Sequence, residues 1–369
     1  MKHARTIGLG IVLALIIFAI AFIEHMQPNE KGISNEAVNV AKDNAPFIKS
    51  MRYKEAKELA GISGYVNTNG KNITIGDLVG SKVILVDFWT YSCINCQRTL
   101  PYITAWYEKY KDQGLEIIGV HSPEFDFEKD PKNVQMAIDK FGITYPVVQD
   151  NDYSTWRAYE NRYWPHKYLI DIDGYIVYDH IGEGGYEETE KKIQELLKER
   201  AIRLKEESKI STDVVYPRVE LDSNGAAESP ETYFGAMRNE RLANGTSGTE
   251  GAQSFKEPAT VRLNDLYLVG DWNIAREYAQ SVGDTARVIF KYKAQDVYIV
   301  ASAPAEEILT VTRDGASVGR EGGGDFGVGG LYLENEERLY RVIENDDGEE
   351  HTLEITVPKG VRFYTFTFG

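Results

Sequence analysis

The chain has 369 residues, 42% hydrophobic and 27% charged, with a formal net charge of −16. That length predicts two folded domains and the composition excludes wholesale disorder. The negative charge, with no basic patch to offset it, excludes non-specific binding to nucleic acid or anionic head groups.

Lys2 and Arg5 precede an apolar run at 7–23, after which Glu24, Glu30 and Lys31 restore polarity. The basic flank and the length, at the short end for a spanning helix, predict a single-pass anchor in the cytoplasmic membrane with the rest of the chain outside the cytoplasm. Ala19-Ile20-Ala21 keeps a cleaved signal peptide and secretion open. Residues 24–58 read as a polar stalk. Residues 64–75 alternate around Asn69-Gly70 and predict a hairpin.

The run 83–89 is a strand buried on both faces, and Asp87 is the one charge inside it. A helix follows the cysteines until Gly114, and a strand spans 115–120. Asp130-Pro131 starts a helix that Gly142 stops. A strand at 144–148, a short helix around Trp156, strands at 167–172 and 175–180 about Asp173-Gly174, and a helix at 187–204 complete an α/β domain of mixed sheet flanked by helices over 59–206. A polar linker at 207–229 leads to 230–369. There, strand-like runs at 259–269, 285–293, 296–302, 307–313, 338–344, 351–357 and 361–368, with Gly/Asp turns, predict an all-β sandwich. Its many tyrosines and phenylalanines either fill a core or offer a carbohydrate- or protein-binding face.

Cys93 and Cys96 are the only cysteines, so no disulfide framework holds the fold and the pair acts locally. Cys93 falls at the N-terminus of a helix, where unsatisfied N–H groups and the macrodipole favour its thiolate. It is the expected nucleophile, and Cys96, one turn on, the expected resolving thiol of a redox-active disulfide. No other cofactor is called for. A zinc site needs more ligands than the pair provides, and a copper relay would need His121 or His166 as well.

The string from Val86 through Asp87, Trp89 and Cys93 to Cys96 resembles the active-site region of thioredoxin-like proteins, above all the TlpA-like domain of DipZ-type proteins. The segments 119–125, 163–165 with 168–171, and 182–186 are similar too, and Pro230-Glu231-Thr232-Tyr233 and 361–369 resemble that family's C-terminal domain. The resemblance implies a thiol–disulfide oxidoreductase. It gives Asp87 as the proton acceptor for Cys96, Pro165 as a cis proline facing the disulfide, Pro101 as a helix kink, and Trp89 and Trp164 as supporting residues. Glu124, after His121, would lie near the active-site end of the sheet. DipZ-type proteins carry a multi-span electron-conducting domain before this part, so the resemblance implies a separate CcdA/DsbD-like donor. It favours a reductase of exported protein disulfides, with a link to cytochrome c maturation open. Thr90-x-x-Cys93 keeps a peroxiredoxin-type peroxidase as the rival reading.

Overall fold

The computed structural model describes residues 49–207, 209–218, 227–283, 285–344 and 347–369. The expected anchor at 1–23, and the stalk up to residue 48, lie outside the described residues. Among the described residues no helix is long and apolar enough to cross a membrane. Residues 54–369 form one compact unit.

The first part of that unit contains β1 (Lys54–Glu55), β2 (Gly64–Val66), α1 (Ile75–Leu78), β3 (Val83–Trp89), α2 (Ile94–Tyr110), β4 (Leu115–His121), α3 (Pro131–Lys140), β5 (Val147–Gln149), α4 (Ser154–Ala158), β6 (His166–Ile170), β7 (Tyr175–Ile181) and α5 (Tyr186–Leu204). The strands form a seven-stranded sheet in the order β1-β7-β6-β3-β4-β5-β2. β3 pairs parallel with β4 and antiparallel with β6. The apolar run of β3 is therefore central and buried throughout. Its residues alternate: Val83, Leu85 and Trp89 pack with Leu100, Ile103 and Trp106 of α2 and with Ile193 and Leu197 of α5. Ile84, Val86 and Phe88 join the cluster of Ile75, Val148 and Tyr159 on the opposite face. The period of two puts Asp87 on the α2 side of the sheet.

α3 starts as expected, with Pro131 in its first turn and the Asp130 side chain accepting from the Lys132 N–H. Two expectations fail here. The segment at 64–75 is not a hairpin, because β2 pairs with β5 instead. Asn67 and Asn69 take positive φ, and the Asn67 amide donates to the carbonyls of Ile143 and Tyr145, tying the turn to the chain before β5. The stretch read as stalk also enters the domain, since Lys54 and Glu55 pair with β7. The Glu58 carboxylate accepts from the N–H groups of Ile75 and Gly76 at the start of α1.

The second part is all-β: β8 (Thr232–Tyr233), β9 (Gly251–Phe255), β10 (Leu266–Ile274), β11 (Ala279–Ser281), β12 (Ala286–Lys293), β13 (Val297–Ser302), β14 (Glu307–Arg313), β15 (Ala316–Ser317), β16 (Phe326–Gly327), β17 (Gly330–Leu333), β18 (Arg338–Ile343), β19 (Glu350–Val357) and β20 (Arg362–Phe368). They form one hydrogen-bonded sheet, ten strands along a single path with β8, β9 and β15 paired at its side, rather than the two separate sheets of a sandwich. β10 is the corner: residues 266–269 pair with β12, and residues 270–274 pair with β9. Gly270 lies at the switch with φ +85°, and a Cβ there would press on Ala286 Cα at 3.3 Å. The segment just before β16 reaches β18, the other end of the path, where Gly322 bridges Ile343, which makes the sheet nearly a closed barrel. Leu266, Phe290, Tyr292, Ile299, Tyr340, Phe363 and Phe366 fill its core.

The two parts share an apolar seam. Ile94 and Phe125 of the first pack with Tyr298, Val300, Leu339 and Tyr364 of the second. Tyr364 stands edge-on to Phe127 at 4.8 Å. Polar contacts frame the seam: Arg98 donates to the Tyr298 hydroxyl at 3.2 Å, and the Asp126 N–H donates to Glu277 at 2.8 Å.

Candidate active site

The dithiol lies where β3 ends and α2 begins. Cys93 is the N-cap of α2 with an extended backbone, and its sulfur accepts the Cys96 N–H at 3.3 Å. A sulfur in that place satisfies one of the orphan donors of the helix end and feels its dipole. Cys93 is half-buried, whereas Cys96 is only 1% exposed within the core beneath α2. Both are free thiols. Pro101 lies inside the same helix, where it cannot donate to the Gln97 carbonyl.

Three of the residues singled out from sequence converge on this pair. The Trp164–Pro165 bond is cis, and the Cys93 thiol lies 3.9 Å from the Trp164 carbonyl. The Trp164 indole donates to the Ser122 carbonyl at 3.0 Å and packs against Trp156. Asp87 is fully buried, and neither of its carboxylate oxygens has a hydrogen-bond partner. Burial pushes Asp87 up to about 7, and the Lys167 cation partly offsets the rise. The Cys96 thiol is likewise pushed up, first by burial, then by Cys93, with the Asp87 charge adding to the rise.

Trp89 is fully buried beside His121, rings edge-to-face at 5.1 Å. Gly119 makes room for that indole, since a Cβ would lie 3.0 Å from its Nε1. His121 is buried and held neutral, burial lowering it to about 3, and its Nε2 lies 3.4 Å from the Thr90 hydroxyl. His166 contacts Asn161 and Asp179. Neither histidine forms a cluster of metal-ligating side chains with the two cysteines among the described residues.

Glu124 sits on the loop after β4, at the active-site end of the sheet, but its carboxylate reaches into the second part of the unit. There it accepts from the Tyr233 hydroxyl at 2.8 Å and pairs with Arg238 at 2.7 Å.

Sequence reasoning missed the contributors that depend on tertiary neighbours. Lys167 on β6 faces Asp87 on the neighbouring β3 and is fully buried, its ammonium donating to the Gly182 carbonyl at 2.9 Å. A lysine two residues past Pro165, inside an apolar strand, was a signal on a par with Asp87. Ile94, between the cysteines, is 1% exposed because the second part covers it. Tyr91 reaches the Glu337 carbonyl of the second part at 3.4 Å. Nothing in the local sequence marks these contacts.

Residues 54–179 match the AhpC/TSA family, and residues 229–369 match the family described as thioredoxin like C-terminal domain. The chain is 39% identical to Protein DipZ of Mycobacterium bovis over 317 residues, 85% of this chain and 43% of that protein. It thus spans less than half the length of that relative. It is 31% identical over 142 residues to the thiol-disulfide oxidoreductase YkuV of Bacillus subtilis, which is 38% of this chain and 93% of that protein. Over 132 residues it is 35% identical to the thiol-disulfide oxidoreductase ResA of Halalkalibacterium halodurans, 36% of this chain and 71% of that protein. With a redox-type dithiol at a helix N-terminus and relatives matched over most of their length, the chain belongs to the thioredoxin-like thiol–disulfide oxidoreductases.

Proposed function

We propose that this protein exchanges disulfides with cysteine-bearing proteins outside the cytoplasm, acting as their reductase while anchored by the segment at 7–23. The observation that carries the reading is the asymmetry of the two thiols. Cys93 is reachable and its sulfur accepts the Cys96 N–H, while Cys96 is sealed in the core near Asp87.

In the first step the Cys93 thiolate attacks a partner disulfide, one partner sulfur leaves as thiolate, and a mixed disulfide forms. Asp87 then takes the proton of Cys96, whose thiolate attacks the Cys93 sulfur. The Cys93–Cys96 bond forms, the bond to the partner breaks, and two electrons have passed to the partner. Recharging the dithiol requires a donor of electrons, for which the CcdA/DsbD-like multi-span class is our proposal. The reductase direction is our reading of the resemblance to DipZ-type proteins, and the similarity to ResA supports the exchange of disulfides.

Limited alkylation of the reduced chain with iodoacetamide, followed by mass mapping, tests the assignment. Label on Cys93 well before Cys96 is expected, and label on Cys96 first would reverse the roles.

The AhpC/TSA match supports thiol peroxidase as a second reading. The Thr90 hydroxyl, which that chemistry would use, is buried and lies 3.4 Å from His121 Nε2. Consumption of hydrogen peroxide by the reduced chain at a rate exceeding its reduction of protein disulfides would favour it.

A further inference from the structure

Glu128 lies in the short 3₁₀ turn at Asp126–Lys129 and is fully buried, yet the exchange steps above do not use it. Its Oε1 accepts from the Ser92 N–H at 3.2 Å and from the Ser92 hydroxyl at 2.7 Å. Its Oε2 accepts from the N–H groups of Glu124 at 2.5 Å and Phe125 at 3.0 Å. One oxygen therefore grips the residue before Cys93. The other grips the loop whose Glu124 is held by Tyr233 and Arg238.

Burying a carboxylate is unfavourable, and burial pushes Glu128 up to about 7 against the hydrogen bonds from Thr90, Ser92 and Phe125. An apolar side chain of the same volume would fill the space without that cost, but it would leave the Ser92, Glu124 and Phe125 donors unpaired. The peptide plane joining Ser92 to Cys93 sets where the Cys93 Cα stands, the point from which its side chain projects. A grip on Ser92 therefore limits how far the Cys93 backbone, and with it the sulfur that accepts the Cys96 N–H, can shift.

We propose that Glu128 is a positioning residue for disulfide exchange: by clamping Ser92 it holds the Cys93 sulfur where Cys96 can close the intramolecular disulfide. This deepens the exchange function proposed above and rests on it. In the step concerned the Cys96 thiolate attacks the Cys93 sulfur of the mixed disulfide, and the partner leaves as thiolate. Glu128 changes no bond in it. It raises the effective concentration of one sulfur at the other.

Glu128→Gln keeps the volume but puts an NH2 donor where one oxygen stood, so the side chain faces N–H donors on one side and loses that grip. Two quantities are measured on the full chain: the equilibrium between the dithiol and glutathione disulfide, and the rate at which iodoacetamide labels Cys93. The constant for forming the Cys93–Cys96 disulfide is expected to fall about tenfold, equivalent to about 30 mV, while labelling stays within about threefold. An unchanged constant in the folded variant would overturn the proposal. So would a parallel change in both quantities, which is what a general loosening produces.

Ser92→Ala removes only the hydroxyl arm and serves if the glutamine variant does not fold. A fall of about threefold in the same constant is expected, and no fall overturns the proposal. The parent chain separates the two levels. If its cysteines form no disulfide with glutathione at any ratio, the exchange function itself fails; if they do and the variants match it, only the role of Glu128 fails.

Discussion

Asp87 and Lys167 face each other across adjacent antiparallel strands, and neither has any exposed surface. Burial pushes the carboxyl up to about 7 and the ammonium down to about 8, each partner opposing the other's shift. Each is linked to the Cys96 thiol in a different way: the Asp87 charge raises Cys96, and the Cys96 charge raises Lys167. A base poised near neutrality beside the thiol we propose as the resolving one is the arrangement that general-base catalysis favours.

Replacing Asp87 with Asn should slow release from the mixed disulfide by on the order of 10–100-fold and leave its formation within a few-fold. Stopped-flow measurement of both steps with a small disulfide checks this. Equal slowing of both steps would remove Asp87 from the mechanism.

Asp87 also predicts a pH dependence of stability. Its folded value of about 7 lies above the ordinary 3.8, so its ionisation opposes folding. That penalty is absent below about pH 4 and grows, to at most about 4 kcal/mol, as pH rises to 7. Lys167, lowered to about 8, adds its own penalty below that value but varies little between pH 4 and 7. Denaturant unfolding across pH 4–7 should therefore lose stability with rising pH more steeply in the parent chain than in Asp87→Asn, since buried His121 and Glu128 titrate alike in both. Parallel profiles would contradict it.

Lys167→Met removes the cation that lowers Asp87, so the carboxyl rises further and less of it is ionised at neutral pH. Release from the mixed disulfide should slow several-fold at pH 7, by about the lost fraction of base, and recover at pH 9. A slowdown of the same size at both pH values would assign Lys167 to packing alone.

The clasp between the two parts of the unit should contribute measurable stability. The Arg238 guanidinium pairs with Glu124 and lies 3.7 Å from the Tyr233 ring centroid. Arg238→Ala leaves the largely buried Glu124 carboxylate without its cation and should cost about 2 kcal/mol in urea unfolding. In a Glu124→Gln background the same change should cost about half as much or less. Equal costs would show that the ion pair is not the source.

The α/β domain was legible where local rules and burial agree. The apolar run at 83–89, the Asp130-Pro131 start of α3 and the cysteine pair at a strand-to-helix junction are each determined by a few residues. Residues 64–75 were misleading because their Asn-Gly signal suits a hairpin, while Asn67 spends its amide on carbonyls near β5. In the second part β12, β13, β14, β18, β19 and β20 fall where strand-like runs were expected, whereas the run at 259–269 is a strand only from Leu266, where β10 begins, and short strands such as β9 and β17 were not expected. Nor was the bend of β10 at Gly270, since an isolated glycine does not announce which partner each half of a strand will take.

The aromatic residues there serve more than one purpose. Phe363 and Phe366 fill the core, whereas Tyr298 and Tyr364 pack on Ile94, Phe125 and Phe127 of the first part. A protein-binding face was among the sequence expectations, and part of that face is taken up within the chain. Lys167 and Glu128 became visible only when strand pairing and loop packing supplied their neighbours.

The exchange of disulfides through Cys93 is tested most directly by trapping its covalent intermediate. Cys96→Ser removes the thiolate that resolves the mixed disulfide and leaves Cys93 reactive. The full chain carrying this change is expressed in cells, the membranes are quenched with alkylating agent, and bound proteins are separated with and without reductant. Adducts through Cys93 that reductant dissolves are expected, containing exported cysteine-bearing proteins and a multi-span donor. No reducible adduct under any redox condition, with Cys93 shown to be free and reactive, would contradict exchange through Cys93.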